Sequence, residues 1–223
     1  MMKPIPRITV SYAQSLDGRI ATSTGDSRWI SCPRTITLAH RLRRDNEVIL
    51  VGIGTVLRDD PELSCRLKRS CPSPVRVVLD SHLRLPSEST ILRTCGTYRT
   101  IVYTTTGTNP DRRRRLELSG VEVHEIAADE QGRVAVRNVV ENLAERGFRT
   151  VFVEGGAKVI TSFLRAGLVH RLIVVIAPVI IGRGVEAVGD LEITSLDQAL
   201  RPRRSRTRRL GRDRVWELYF DEP

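Results

Sequence analysis

Short runs of apolar and β-branched residues recur along the chain, and segments with helical spacing of apolar positions lie between them. Runs of about 4 to 8 such residues are typical of strands that are buried in a sheet. The predicted strands are Ile8–Ser11, Val48–Val51, Val75–Leu79, Thr100–Tyr103, Val121–Ile126, Thr150–Val153, Leu172–Ile176 and Val215–Phe220. Strands that alternate with helices favour βαβ units, in which neighbouring strands are parallel.

Three segments between these strands have the pattern of an amphipathic helix. Pro33–Arg44 carries proline in its first turn, and Val136–Arg146 places its apolar residues on one face. A third helix is predicted from Ala157 to about Ala166, directly after a strand. The segments Lys68–Pro74 and Thr106–Pro110 are predicted to be surface loops.

The C-terminal part of the chain has the pattern of a β-hairpin. Its predicted parts are Arg203–Leu210, a turn at Gly211–Asp213, and Arg214–Phe220, with Trp216, Leu218 and Phe220 facing the core and Glu217 and Tyr219 facing outward. The elements together predict one α/β domain over residues 1–223. We expect a mainly parallel central sheet flanked by helices, with an antiparallel hairpin at its C-terminal end.

The charge of the chain is strongly basic. The formal net charge is +10 and the sequence pI is about 10.3, so anionic partners are expected, either nucleic acids or phosphorylated small molecules. Aromatic residues make up only 4%, which argues against a single-strand nucleic-acid binder because such proteins stack bases on aromatic rings. No stretch resembles a signal peptide or a membrane span, and a cytoplasmic protein is therefore expected.

The four cysteines and four histidines do not show the spacing of a metal site. No C-x-x-C pair occurs, and the histidines are scattered, so neither zinc ligation nor a disulfide framework is predicted. Catalysis without a metal is expected.

A glycine pair after a predicted strand is the sharpest local signal. In Glu154-Gly155-Gly156, a buried strand runs into a helix start, where free backbone N–H groups and the helix dipole attract a phosphate. The alternative is that the glycines only form the turn. Glu154 lies at the carboxyl end of its strand, where α/β sheets bind ligands, and its carboxylate suits an amino-substituted ring.

Two further glycine patterns are chance matches to the dinucleotide fingerprint. Gly182–Ala187 matches G-x-G-x-x-A, but Gly189 and Asp190 follow it in place of a continuing helix. The second pattern, Gly52-Ile53-Gly54, lacks a third glycine.

Several loop segments, taken in order, carry a resemblance to one family. They are Ser15–Ile20, Asp26–Ser31, Gly52–Pro61, Val75–Ser81 and Ala177–Gly182. With Glu154–Ala157, this order resembles the pyrimidine reductases of riboflavin biosynthesis, whose fold is similar to that of dihydrofolate reductase. The chain lacks the H-x-E and P-C-x-x-C segments of the zinc deaminase that is often fused to this reductase, so it resembles a stand-alone form.

The resemblance implies that NADPH delivers hydride to C1′ of a ring-opened ribose, which turns a ribosylamino group into a ribitylamino group. The expected substrate is 2,5-diamino-6-ribosylamino-4(3H)-pyrimidinone 5′-phosphate. The implied contacts to the dinucleotide are Ala13, Trp29, Thr55, Asp59, Ser81, Gly156, Ala157, Lys158, Val159, Ile160, Thr161 and Ser162. The implied contacts to the substrate are Ser27, Arg43, Leu63, Arg66 and Glu154.

These residue types suit the implied roles. Arg43 and Arg66 can each hold the 5′-phosphate with two parallel hydrogen bonds, and Ser27 supplies a hydroxyl. Asp59 is the candidate catalytic residue, although Asp60 could equally polarise the reacting centre or relay a proton. The segment Asp80–Arg84 offers hydroxyl and cationic donors for the 2′-phosphate of NADPH, which Asp80 would repel if it pointed the same way.

Other functions stay open at this point. The deaminated 5-amino-6-ribosylaminouracil 5′-phosphate shares the ribose phosphate, and a pterin or folate reductase would share the fold. The arginines of Arg112–Arg115 and those between Arg201 and Arg214 motivate a nucleic-acid-binding protein. A homodimer is expected by analogy with the family.

Overall fold

The computed structural model describes residues 4–28, 30–67 and 71–221, and these residues form two compact units. Unit 1 comprises the described residues of Met1–Pro6 and His40–Phe152, and unit 2 comprises those of Arg7–Ala39 and Val153–Pro223. Each unit is therefore built from two stretches that are separate in sequence. The single domain over residues 1–223 stays a prediction.

Strands and helices alternate along most of the described chain. The strands are β1 (Arg7–Gln14), β2 (Arg19–Thr22), β3 (Val48–Gly52), β4 (Val75–Leu79), β5 (Thr100–Thr105), β6 (Glu122–Ile126), β7 (Thr150–Glu154), β8 (Arg171–Ile176), β9 (Gly184–Glu186), β10 (Arg204–Leu210) and β11 (Asp213–Tyr219). The α-helices are α1 (Pro33–Arg44), α2 (Ile53–Asp59), α3 (Thr90–Arg93), α4 (Pro110–Leu118), α5 (Val136–Glu145) and α6 (Ala157–Arg165), and Leu196–Gln198 forms a 3₁₀ turn. None of the helices in the described ranges is long and apolar enough to cross a membrane.

Unit 1 contains four consecutive parallel strands in the order β3-β4-β5-β6. Every residue of β3 is buried, as expected of a parallel strand that is covered on both faces. Gly52 pairs with Leu79 and Leu79 pairs with Tyr103, so β3 and β4 end at the same level and β5 continues for two further residues. The loops that follow these strands consequently emerge along one edge.

Unit 2 combines parallel and antiparallel pairing in the order β10-β11-β8-β1. β1 is parallel to β8, whereas β11 is antiparallel to both β8 and β10. A separate two-stranded sheet joins β2 to β9. The expected fold class, mixed α/β with mainly parallel strands and an antiparallel C-terminal hairpin, is confirmed.

The predicted helices follow their apolar spacing. In α5, Val136, Val139, Val140 and Leu143 are buried, which is the i, i+3, i+4, i+7 pattern of a helix with one face in the core. Three other helices and two short strands were not predicted. α4 was missed because Leu116 is its one buried residue and its arginines show no apolar period.

The direction of the hairpin side chains differs from the prediction. Val215 and Glu217 are 0% and 9% exposed, whereas Trp216 is 46% exposed, so the expected orientation of Trp216 and Glu217 is wrong. Leu218, Tyr219 and Phe220 are half-buried.

The inward position of Glu217 results from a polar network. Its carboxylate accepts hydrogen bonds from Arg171 at 2.6 Å, Arg208 at 3.2 Å and the Tyr219 hydroxyl at 3.0 Å. These charge-assisted contacts compensate the cost of burying a carboxylate. The ion pairs of Glu217, and not the burial of the larger apolar side chains, therefore decide which side chains of β11 face inward.

The cysteines also differ from expectation. Cys65 and Cys71 form a disulfide, while Cys32 and Cys95 are free. The prediction of no disulfide is therefore wrong. A spacing of six residues across a predicted loop is compatible with many conformations, so sequence spacing did not reveal the pair.

Glu122 on β6 is predicted to make the stability of the protein depend on acid pH. Hydrogen bonds, first from Arg99 and then from Arg146, lower the pKa of Glu122 to about 2. A carboxylate whose folded pKa lies below its unfolded value stabilises the fold above about pH 4.5, and this stability is lost as the pH falls toward 2. Because Glu122 is partly exposed, Glu122→Gln should lower the free energy of unfolding at pH 7 by about 1 kcal/mol.

Urea unfolding at pH 7 and at pH 2.5 measures this effect. The difference between Glu122→Gln and the parent protein should shrink at the lower pH, because the carboxyl group is then protonated in the unfolded parent and most of the stability that comes from its lowered folded pKa is lost. An equal difference at both pH values would contradict the assignment.

Candidate active site

The carboxyl edge of the unit 1 strands carries two predicted dinucleotide contacts. Thr55 lies in the first turn of α2, directly after β3, and Ser81 follows β4 by two residues. The Ser81 hydroxyl accepts from the backbone N–H of Val134 at 3.1 Å, and its carbonyl accepts from the Thr105 hydroxyl at 2.7 Å. Ser81 is therefore held by the last residue of β5 and by the segment that follows β6.

Asp80 precedes Ser81 and points into the protein. Its side chain is fully buried, and Oδ2 accepts from the backbone N–H of Leu85 at 2.8 Å. Burial raises the pKa of Asp80 above its usual range. Because this carboxylate is turned inward to organise its own loop, it does not present its charge beside Ser81 at the surface.

Two of the predicted substrate contacts, Arg43 and Arg66, lie near the end of α1 and in the loop after α2. The Arg43 guanidinium donates to the Ser64 carbonyl at 3.0 Å. The backbone N–H of Arg66 donates to Nδ1 of His40 at 3.1 Å, and its guanidinium lies 3.5 Å from the Glu62 carboxylate. Arg66 thus belongs to the short segment between Glu62 and Arg66, and Arg43 of α1 contacts this segment at Ser64.

Leu63 lies on the same segment, but its side chain is 2% exposed and packs in the core. Its φ is 59°, a left-handed value that is uncommon for leucine. A substrate contact at this position is consequently limited to the backbone.

Two adjacent carboxylates at the end of α2 have different surroundings. Asp59 is the last helical residue and is exposed. Asp60 accepts from the N–H and the hydroxyl of Thr90, both at 2.7 Å, and these bonds lower the pKa of Asp60. Asp60 therefore holds the first residue of α3, and the role of Asp59 as the catalytic residue stays a prediction.

The strand-to-helix junction of unit 2 has the backbone of an anion site. Gly155 and Gly156 have φ values of 88° and 85°, which side-chain-bearing residues rarely adopt. Glu154 ends β7, and α6 begins at Ala157 with no side-chain cap on its N-terminus. The first N–H groups of this nine-residue helix are therefore left for water or an anionic ligand.

The side chains at the start of α6 are divided between core and surface. Val159 and Ile160 are buried, so these two predicted contacts are limited to backbone atoms. The hydroxyl of Thr161 donates to the Ala157 carbonyl at 2.7 Å, and that of Ser162 donates to the Lys158 carbonyl at 2.9 Å. Lys158 is exposed and contributes a positively charged side chain to the first turn of α6.

Three further residues that were predicted to contact the cofactor or the substrate fall in the sequence range Arg7–Ala39 of unit 2. Ala13 is near the carboxyl end of β1 and pairs with Val175 of β8. Ser27 is half-buried in the loop after β2. Trp29 lies outside the described residues. The predicted contacts are thus divided between the two units, and their roles stay predictions.

Comparison with known proteins decides the family. The model of the RibD C-terminal domain matches residues 6–215. The chain belongs to the RibD C-terminal domain family.

Two curated relatives in this family illustrate the range of chain lengths. The riboflavin biosynthesis protein RibD of Aquifex aeolicus is 37% identical over 94% of this chain, which spans 56% of that protein. The 2,5-diamino-6-ribosylamino-4(3H)-pyrimidinone 5′-phosphate reductase of Methanothermobacter thermautotrophicus is 34% identical over 95% of this chain and 97% of its own length. The chain spans about half the length of the RibD relatives that it matches.

A solved structure extends the similarity to the fold. RibD of Acinetobacter baumannii in form 1 superimposes with a TM-score of 0.82 at 25% identity and covers 98% of this chain and 59% of that chain. The fold of this chain is accordingly similar to that of the matched part of the RibD chain.

The structure also reveals residues that the sequence did not single out in this RibD-family chain. Glu62 contacts both the Ser64 hydroxyl and the Arg66 guanidinium, and His40 holds the backbone of Arg66. The i, i+4 spacing of Glu62 and Arg66 was a visible signal for the ion pair. Nothing in the sequence indicated His40, because it lies on α1, distant along the chain.

Proposed function

We propose that this chain is an NADPH-dependent reductase that acts on 2,5-diamino-6-ribosylamino-4(3H)-pyrimidinone 5′-phosphate in riboflavin biosynthesis. The observation that carries the proposal is that Arg43 of α1 donates to the Ser64 carbonyl on the Glu62–Arg66 segment, while the backbone of Arg66 on that segment is held by His40. One guanidinium group on this segment and a second in contact with it suit a phosphate monoester. The archaeal relative of nearly equal length, which is named for this reduction, supports the choice of substrate.

The chain offers features that fit a dinucleotide. The α6 N-terminus is uncapped and follows two glycines, and a Cβ placed on Gly155 would meet no atom within 4 Å. Open space beside free N–H groups is what a pyrophosphate requires. Residues Gly156–Ser162 would hold the cofactor there, with Ala13, Trp29, Thr55, Asp59 and Ser81 as its other contacts. NADPH, when bound, supplies the hydride that reduces C1′ of the substrate.

The remaining chemistry belongs to the side chains of the protein. Arg43 and Arg66 bind the 5′-phosphate and fix the ribose, while the Ser27 hydroxyl adds a neutral partner. Glu154 accepts hydrogen bonds from ring N–H or amino groups and so orients the pyrimidine. Asp59, exposed at the end of α2, polarises the reacting centre or relays a proton to it.

The test is NADPH oxidation at 340 nm with the diamino pyrimidine phosphate and the deaminated pyrimidine phosphate side by side. We expect oxidation only when a ribosylaminopyrimidine phosphate is present, with the diamino compound preferred. Preference for the deaminated compound would place reduction after deamination, and no NADPH consumption with either would refute the proposal. Dihydrofolate serves as the negative substrate, because it has no phosphate for the two arginines.

The preference for NADPH over NADH is predicted to arise beside Ser81. Ser81 and the exposed Arg84 lie on this loop, and Arg112 donates to the His82 carbonyl at 3.3 Å, while Asp80 is turned inward. Two cations over one loop favour the 2′-phosphate of NADPH. We expect kcat/KM for NADPH to exceed that for NADH by about tenfold or more. Comparable values for the two cofactors would contradict this assignment.

The arginines of β10 are predicted to be structural and not a nucleic-acid surface. Arg208 pairs with Glu217, Arg206 lies opposite Glu217 in the strand register, and Arg204 lies over the Tyr219 ring at 4.4 Å. Changing Arg204, Arg206 and Arg208 together to Gln should leave kcat and the KM for NADPH within about threefold. Submicromolar, steeply salt-dependent DNA binding that is lost in this triple variant would instead favour the nucleic-acid alternative.

We further propose that the protein is cytoplasmic and forms a homodimer. Exposed Trp216 on β11 is a large apolar side chain of the kind enriched at protein interfaces. Sedimentation equilibrium of the parent and of Trp216→Ser tests the assembly, with a weakened dimer expected in the variant. A monomeric parent protein would refute the dimer.

A further inference from the structure

The Cys65–Cys71 disulfide begins on the Glu62–Arg66 segment, which carries the proposed phosphate contact Arg66. Cys65 stands between Leu63 and Arg66, and its partner Cys71 is six residues along the chain. The other two cysteines, Cys32 and Cys95, are free thiols. A covalent link that ends one residue before Arg66 restricts the backbone on which that guanidinium is mounted.

The disulfide can be reached from solvent. Cys65 and Cys71 are both partly exposed, and both line a cavity of about 390 Å³. The wall of this cavity is completed by Leu67, Ser73, Pro74, Val75, Thr97, Tyr98 and Arg99. Exchange with a small thiol requires access to a sulfur atom, and this cavity provides it.

The segment keeps other attachments that do not depend on the disulfide. The backbone N–H of Cys65 donates to the Ser73 hydroxyl at 3.1 Å, and that of Arg66 donates to His40. The sulfur of Cys65 also lies 3.6 Å from the His40 carbonyl, which can accept from the S–H of a reduced thiol. Reduction therefore loosens the segment without releasing it from the fold.

We propose that the Cys65–Cys71 pair is a reversible redox modification site that controls how tightly Arg66 holds the substrate phosphate. This inference rests on the proposed function, since it concerns the same phosphate contact. A thiolate of a dithiol reductant attacks one sulfur, the S–S bond breaks, and a mixed disulfide forms with release of the other cysteine thiolate. The second thiol of the reductant then displaces the remaining cysteine, so that two protein thiols and one oxidised dithiol result.

The reduced protein is expected to bind the phosphate more weakly because Arg66 must then be ordered at the moment of binding. Immobilising one flexible side chain and its loop corresponds to a KM for the pyrimidine phosphate that is about threefold to tenfold higher. The KM for NADPH and kcat should change less than about twofold.

The experiment compares the KM for the pyrimidine phosphate of protein equilibrated with oxidised dithiothreitol and of protein equilibrated with reduced dithiothreitol. The free thiols of each sample are counted by mass spectrometry after alkylation with iodoacetamide in denaturant. Two of the four cysteines should react in the oxidised protein and all four in the reduced protein. Cys71→Ser should show the higher KM regardless of dithiothreitol, whereas the matched variant Cys95→Ser should keep the full redox response.

Four reactive thiols after oxidation, or the same KM in both states, would overturn the inference. If neither state oxidises NADPH, the proposed function fails, and the inference is then decided by calorimetric titration with inorganic phosphate. Weaker phosphate binding by the reduced protein and by Cys71→Ser would support it, and equal binding would refute it.

Discussion

Replacing Arg66 by methionine is expected to raise the KM for the pyrimidine phosphate about tenfold to a hundredfold, which corresponds to the loss of a charge-assisted contact of about 1.5–3 kcal/mol. The phosphate is distant from the reacting C1′ of the substrate, so the contact stabilises substrate and transition state alike, and kcat should fall much less. The backbone bond from Arg66 to His40 does not involve the guanidinium. The loop should therefore keep its position in the variant.

Steady-state kinetics with both substrates varied measures the effect of Arg66→Met. Arg115→Met provides the matched control, because Arg115 is an exposed arginine on α4 and outside the proposed contacts. We expect its KM to equal that of the parent protein. An unchanged KM in Arg66→Met would remove this residue from the phosphate site, and a fall in kcat alone would indicate a role in the chemical step.

Replacing Arg76 by methionine is expected to lower the free energy of unfolding by at least about 3 kcal/mol, since several buried acceptors would lose a charged donor. Arg76 is fully buried in β4. Its guanidinium donates to Thr100 Oγ1, Thr94 Oγ1 and the carbonyl oxygens of Glu62, Ile91 and Tyr98. Burial lowers the pKa of Arg76 to about 10, so the group remains charged at neutral pH.

Urea unfolding of Arg76→Met, Arg76→Lys and the surface variant Arg114→Met separates charge from geometry. Lysine keeps the positive charge but cannot reach all of these acceptors with one ammonium group, so Arg76→Lys should also be destabilised. Arg114→Met should stay within about 0.5 kcal/mol of the parent. A loss below about 1 kcal/mol for Arg76→Met would show that water replaces the guanidinium.

The parts of the fold that could be predicted are those in which local pattern and burial agree. β3 is apolar throughout because it is buried on both faces, and α5 repeats its apolar residues at helical spacing. The position of the hairpin was predicted correctly, but the directions of Trp216 and Glu217 were not. The ion pairs of Glu217 outweigh the burial of Trp216. The Arg171–Glu217 pair joins β8 to β11 over 46 residues of sequence, and a pattern along one strand does not reveal it.

The same limit applies to the candidate site. Glu154 belongs to one of the segments that carry the family resemblance, whereas Arg43 and Arg66 were implied as substrate contacts by the resemblance as a whole. The side chain of Leu63 is buried by three-dimensional packing. The resemblance alone could not show that this side chain is kept away from a ligand. His40 and the Cys65–Cys71 pair were unpredictable for a related reason, because each depends on how a loop folds back on α1 or on itself.

The pairing of β1 with β8 has a consequence for the synthesis of the protein on the ribosome. Thr9 lies opposite Arg171, so the partner of this N-terminal strand is made some 160 residues later, which takes on the order of ten seconds or more of translation. Ile8 and Val10, both fully buried in the finished fold, cannot obtain that neighbour any earlier. During this interval the nascent chain therefore presents an apolar strand that lacks its β8 partner, a target for chaperones that bind extended segments.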